Sequence, residues 1–252
     1  MRHLSLLALA ASFCLVPAAR ADWKDMLKDA AKNPDVIKSV TGGGDSGGGA
    51  NVSSGEAGAG LKEALAQGAS AAVRALGRTD GFWGNEAVRI AMPDSLQTVE
   101  KGLRAVGKGR LADEFIQTMN RAAEAAVPET LAIIEQAIRG MSFDDAMRIL
   151  RGSGTEATDY LKRTGGEQMQ QRMLPIVKQA TARTGVTRKY KEMQGGGGLT
   201  GALLSSKSFD IDRYVTTKAS DGLFYMIGQE EQRIRTNPAA RSTELLRKVF
   251  AR

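Results

Sequence analysis

FDIDRYVTTKASDGLFYMIGQEEQRIRTNP, residues 209–238, decides the fold. Val215, Ala219, Leu223, Ile227 and Ile234 recur mostly at intervals of three and four, which lays them on one face of an α-helix. Asp210 or Asp212 can cap its start, and Pro238, with no amide hydrogen, lies just past its end. The same period runs outward through the chain. It appears in Leu61, Leu65, Ala69, Ala72 or Val73, and Leu76, with Gly77 as a stop. It returns in Leu96, Val99, Leu103 and Val106, ending at Gly107, and in Leu111, Phe115, Met119 and Ala122. Pro128 interrupts the ladder and opens a segment through Leu131, Ile134 and Ile138 to Gly140. Ser142 and Asp145 have the spacing of a capping box. Thr155 is expected to cap a short helix ending at 165, and a second helix comes next with Met169, Met173, Ile176 or Val177 and Ala180 inward. Pro175 would bend that second helix unless it restarts there. Residues 85–91 are expected to form a short helix of their own. Leu245, Leu246 and Val249 close the chain. No alternating β-branched run interrupts the series, so the expected fold is all-α. It is a single multi-helix orthogonal or irregular bundle of about eight to ten helices.

The ends set the chemistry. MRHLSLLALAASFCLVPAARA, residues 1–21, has a basic start, an apolar run and small residues at Ala19 and Ala21. That is the layout of a cleaved secretory signal peptide, and it predicts export to the periplasm or cell envelope. Phe13 before Cys14 disfavours a lipoprotein site. The chain has one histidine, His3, and one cysteine, Cys14, and both would leave with the leader. Thiol nucleophiles, cysteine metal sites and histidine-dependent triads are then excluded, and no metal or cofactor is expected. After cleavage 33 basic residues face 28 acidic ones, a net charge of +5. This keeps the protein soluble and disfavours nucleic acid as a partner, while peripheral contact with an anionic membrane stays open. Residues 22–40 read as a short amphipathic segment and 41–60 as a glycine-rich flexible linker. The domain proper is then 61–252, interrupted by a glycine-rich loop at 194–208.

Two places draw attention as sites. In TDGFWGNEAVRIAMP, residues 79–93, Phe82 and Trp83 lie between Gly81 and Gly84, with Asn85 as a cap for the expected 85–91 helix. The rings either plug the helix ends or line an opening, and because neighbours diverge in direction, one can be core and the other outward. On the 209–238 helix, Glu230 or Glu231 comes after Leu223 and Ile227 on or beside the inward face. A buried acid demands a partner, and Arg89, Arg104 or Arg235 is available. Tyr214 and Tyr225 add polar rims. Asp210 and Asp212 form a D-x-D, but it opens no calcium loop. GKGRLADE, residues 107–114, lacks the ending of a phosphate loop.

The stretches FWGNEAVRIAMP, LADEFIQTMNRAAEAAVP, GMSFDDAMRIL, TDYLKRTG, LPIVKQA, TGVTRKYKEM and SDGLFYMIGQEEQRIRTNPAARSTELLRKVF together resemble a secreted bacterial family known as domain of unknown function 4197. The resemblance spans Leu61 to Phe250. It implies a mostly helical, signal-bearing envelope protein and brings no reaction, substrate or catalytic residue.

The leading expectation is therefore a binding or scaffolding protein. Its cleft would be formed by Phe82, Trp83, Arg89, Tyr214, Tyr225, Glu230 and Glu231, for a small amphipathic ligand or an envelope protein. One alternative is a hydrolase using two carboxylates, Glu230 or Glu231 with Asp80, since paired acids at about 5–10 Å can act as acid and base. Another is a membrane-proximal structural protein acting through its basic helices.

Overall fold

A computed structural model describes residues 53–183, 188, 190, 209–237 and 239, all within the unit Ala50–Arg252. The expected leader, the 22–40 segment, residues 41–52, the 194–208 loop and Leu245, Leu246 and Val249 lie outside the described residues. Those described form α1 (Ser54–Gly77), α2 (Gln97–Ala105), α3 (Gly109–Ala126), α4 (Leu131–Arg139), α5 (Phe143–Arg151), α6 (Glu156–Arg183) and α7 (Ile211–Thr236). Short 3-10 turns at Asp94–Leu96 and Val127–Thr130 lead into α2 and α4. No strand occurs among the described residues. None of their helices is long and apolar enough to cross a membrane.

The all-α bundle arises from where the apolar stripes meet. α7 packs on α6, α1 and α3, and α3 also packs on α6. Val215, Ala219, Leu223, Ile227 and Ile234 are buried as their spacing requires. Asp210 caps α7 by accepting from the amides of Asp212 and Arg213 at 3.1 and 3.0 Å. Ser142 caps α5, accepting from the Asp145 amide at 3.0 Å. The expected reciprocal bond takes another form, because the Ser142 hydroxyl donates to the Asp145 carboxylate at 2.7 Å. α2 ends in a Schellman motif: Lys108 N–H donates to Leu103 O and Gly107 N–H to Arg104 O. Gly107 there has φ +72°, which suits a residue without a Cβ.

Four expectations are corrected. The glycine-rich linker does not reach residue 60. α1 begins at Ser54 behind a complete capping box, in which Ser53 Oγ accepts from Glu56 N–H and the Glu56 carboxylate accepts from Ser53 N–H. Gly58 and Gly60 are buried, and a Cβ on Gly58 would reach Ala146 of α5 at 3.9 Å. These glycines thus serve helix packing.

The break expected near Gly165 is absent, and α6 runs unbroken for 28 residues. Gly165 and Gly166 are buried within it, facing Ile133 and Phe224. Packing on two neighbours outweighs a propensity cost of about 1 kcal/mol per glycine. Pro175 lies inside the same helix, where Met173 and Val177 on either side are fully buried. The ladder survives one missing amide because the surrounding face is anchored.

The stripe on α2 is also less inward than its spacing suggests. Leu96 is buried and Leu103 packs partly on the core, but Val99 and Val106 are exposed. Finally, residues 85–91 form a turn and then a non-helical segment. Its physical reason lies in the site.

Candidate functional site

The elbow between α1 and α2 is built by two unusual residues and held by one helix. Asp80 takes a left-handed backbone, φ 65°. A Cβ on Gly81 would lie 2.3 Å from Leu76 O, so only glycine fits where the chain folds back on the end of α1. The turn then presents the amides of Phe82 and Trp83 to the buried carboxylate of Glu124 on α3, both at 3.1 Å from Oε1. Arg121 completes the network. It donates to Glu124 Oε2 and to Asp80 Oδ1, each at 2.7 Å.

One turn earlier on α3, Asn120 holds the next segment. Its side-chain oxygen accepts from Ile90 N–H and its amide donates to Ile90 O, both at 2.8 Å. The side chain thus imitates a paired strand, satisfying both polar groups of a buried residue. Around it Val88, Ile90 and Met92 are buried while Arg89 and Ala91 are exposed. That alternation has a period of two, so one face of the segment enters the core and the other looks outward. Asn85 opens the turn that follows it, accepting from Ala87 N–H with its side chain and from Arg89 N–H with its carbonyl. Asn120→Ala is expected to cost about 1–3 kcal/mol, the penalty for leaving buried backbone groups unbonded. Urea unfolding of the two proteins checks this, and an unchanged midpoint would count against the clasp.

Phe82 and Trp83 diverge. Phe82 is fully buried and lies against α7 where Gly222 makes room, since a Cβ there would be 2.9 Å from its ring and 3.2 Å from Val88 Cβ. Its role is the plug. Trp83 is half-buried, and the guanidinium of Arg89 lies over its ring at 3.9 Å from the centroid.

Between this segment and α7 runs an open groove of about 310 Å³, lined by residues 87–91 on one wall and Tyr214, Lys218, Asp221, Gly222 and Tyr225 on the other. Tyr214, Lys218, Asp221 and Tyr225 succeed one another at three and four residues and so form a single ridge of α7. The Tyr214 hydroxyl donates to Ala91 O at 3.1 Å, tying the walls together. Burial, and secondarily the charge of Asp94, pushes that phenol above its ordinary value. Tyr225 remains about half exposed. Of the seven residues expected at a cleft, the groove brings together Arg89, Tyr214 and Tyr225. Trp83 backs Arg89, and Phe82 belongs to the core.

Glu230 and Glu231 are corrected out of the site. Glu230 pairs with Arg233 and faces a different groove, between α1 and α7. Glu231 is buried and its carboxylate is fully engaged. Oε1 accepts from Ala157 N–H at 3.1 Å and from Arg235 at 2.7 Å, and Oε2 accepts from the amide and hydroxyl of Thr158 at 2.9 and 2.8 Å. It caps the positive end of α6. Arg235 in turn donates to Ile149 O and Gly152 O at the close of α5. Of the arginines offered by sequence as partners for this acid, Arg235 is the one used. Arg104 pairs with Glu100 and Asp113. Asp80 is bound to Arg121 in the elbow network, so the expected acid pair is divided between two separate structural ties.

Glu156, at the start of α6, has a related role. Burial would raise its carboxyl, but the amides of Glu156, Gly154 and Ser153 and the charge of Arg235 outweigh this and hold it below its ordinary value. A carboxyl depressed on folding contributes stability that is present at neutral pH and is lost on acidification through the folded value. Unfolding midpoints of Glu156→Gln and the parent should therefore differ at pH 7 and converge below about pH 4, under the ordinary carboxylate range. A difference that stays constant with pH would refute it.

Sequence reasoning missed Asn120, Arg121, Glu124, Lys218 and Asp221. Asn120 and Glu124 had a signal: two polar residues four apart, interleaved with the buried Met119, Ala122 and Ala123. Lys218 and Asp221 continue the ridge of Tyr214 and Tyr225. No group of three or more acidic, histidine or cysteine side chains that could hold a metal occurs among the described residues.

No curated protein and no solved structure matches the chain. A protein family does, over residues 51–251, from just before α1 to the penultimate residue. The chain belongs to the family described as Protein of unknown function (DUF4197).

Proposed function

We propose that this chain is an exported envelope protein whose task is binding, and that the groove between residues 87–91 and α7 takes a small amphipathic ligand. One observation carries the reading. Arg89, far in sequence from the α7 residues Tyr214 and Tyr225, converges with them on one open groove with apolar and charged walls. Small-molecule sites have this mixture of apolar lining and a few placed polar groups. The walls are also preformed. The Asn120 clasp, the Glu124 network and the bond from Tyr214 to Ala91 fix the 82–91 segment against two helices. Export is supported by the composition of residues 1–21.

Ala87 is exposed and lines the groove, so Ala87→Phe fills it without touching the core. Native mass spectrometry of the protein purified from its own envelope should show a retained small molecule in the parent and none in Ala87→Phe, with equal melting temperatures once the ligand has been removed. Retention by both proteins would place the ligand elsewhere. A bare mass for the parent would remove the binding reading.

A further inference from the structure

We infer that the ligand of this groove is a small monocarboxylate with an aromatic or apolar body, and that Arg89, seated on Trp83, receives the carboxylate; this rests on the groove being the binding site. The guanidinium is planar and carries its N–H donors around its edge. Stacking one face on an indole leaves that edge free while restricting the side chain's rotamers, so less order is lost when a planar carboxylate docks. Several other arginines are already committed to acids, including Arg104, Arg121 and Arg235. Among the described residues Arg89 has no carboxylate partner, and its guanidinium is engaged by the Trp83 ring. Lys218, from the opposite wall, likewise has no acid partner among them and lies near the Tyr214 ring.

The charges select the anion. Arg89 and Lys218 line the groove with one acid, Asp221, which leaves a net charge of +1. A single carboxylate balances it, whereas a phosphate monoester near two negative charges would meet Asp221 in the same small space. The remainder of the lining sets the body. Tyr225, about half exposed, contributes its ring to the lining, and Ala87 and Ala91 contribute small apolar side chains on the other wall. The Tyr214 hydroxyl is spent on Ala91 O, so its ring serves as wall. A volume of about 310 Å³ is at the low end for ligand pockets and seats a body of roughly a single ring.

Four probes of one shape test this on the mature chain by calorimetry: phenylacetate, 2-phenylethanol, phenethylamine and phenyl phosphate. Phenylacetate should bind about tenfold or more tighter than neutral 2-phenylethanol, as a charge-assisted pair requires, and tighter than the other two. Arg89→Ala should bring phenylacetate down to the affinity of 2-phenylethanol, and Arg89→Lys should recover part of the gap. Trp83 acts here as a positioning residue. Trp83→Leu should narrow the gap between acid and alcohol while leaving the alcohol's affinity unchanged, a split that a loss of folding would not produce. Equal affinity of phenylacetate and 2-phenylethanol for the parent would overturn the carboxylate assignment and leave the groove standing. Tighter binding of phenyl phosphate would overturn the preference for a single charge. Binding of none of the four, with a retained molecule still displaced by Ala87→Phe, would overturn this ligand class alone.

Discussion

Replacing Phe82 by alanine is expected to destabilise the protein by about 3–5 kcal/mol, the range for removing a buried aromatic ring from a packed core. The ring is fully buried, and it fills space that α7 opens by having glycine at 222. The cavity cannot close easily, because the backbone on either side is fixed. Glu124 holds the amides of Phe82 and Trp83, and Asn120 holds Ile90. The same geometry gives a sharper test. Gly222→Ala should destabilise the parent, since its methyl would press on the Phe82 ring and on Val88. In a Phe82→Ala background part of that conflict disappears and the methyl refills part of the void. The double variant should therefore be more stable than the sum of the two single losses predicts. Strict additivity in chemical denaturation would show that Phe82 and Gly222 do not form a lock and key.

Glu231→Ala should cost a similar amount, about 3–5 kcal/mol, the penalty for removing one member of a buried ion pair. The loss has several parts. Arg235, whose side chain is only 10% exposed, keeps its charge and loses its nearer counter-ion, with Glu156 left at 3.5 Å. The amides of Ala157 and Thr158 and the Thr158 hydroxyl lose their acceptor. Glu231→Gln should cost less, because a carboxamide oxygen can still accept from one of these donors. For a domain of this size, the alanine variant's melting temperature should fall by on the order of 10 °C. A drop within a degree or two would mean that solvent replaces the acid, and the clasp would then be decorative.

Helical identity was readable wherever the apolar period was sustained. α7 is the clearest instance, since its five expected core positions are all buried. The failures share a cause: the local signal was ambiguous and a distant residue resolved it. Val88, Ile90 and Met92 alternate with Arg89 and Ala91 over too few positions to separate a strand-like segment from a helix. Asn120, thirty residues away, decides the matter by supplying the partner. Residues 54–60 have the composition of a tether, yet Ser53 and Glu56 form a cap and Ala146 receives the glycine face. Gly165 and Gly166 resemble a stop until Ile133 and Phe224 are seen against them.

The site was legible in part for the same reason. Arg89, Tyr214 and Tyr225 could be named from their types and their neighbours. That Phe82 would turn inward and Trp83 outward depends on a reversal at Asp80 and Gly81 that no periodicity describes. The sequence leaves Glu230 and Glu231 open as the buried acid; the structure buries Glu231, whose partners at Ala157 and Thr158 lie more than seventy residues upstream. Only the register of two packed helices brings them together.

The clasp at Glu231 and Arg235 also orders events in time. α5 and the start of α6 are synthesised long before residues 231–235, so on a growing polypeptide their facing ends stay unsealed until the end of α7 has emerged from the ribosome. Contacts that span such a separation are slow to form and late to reward the chain.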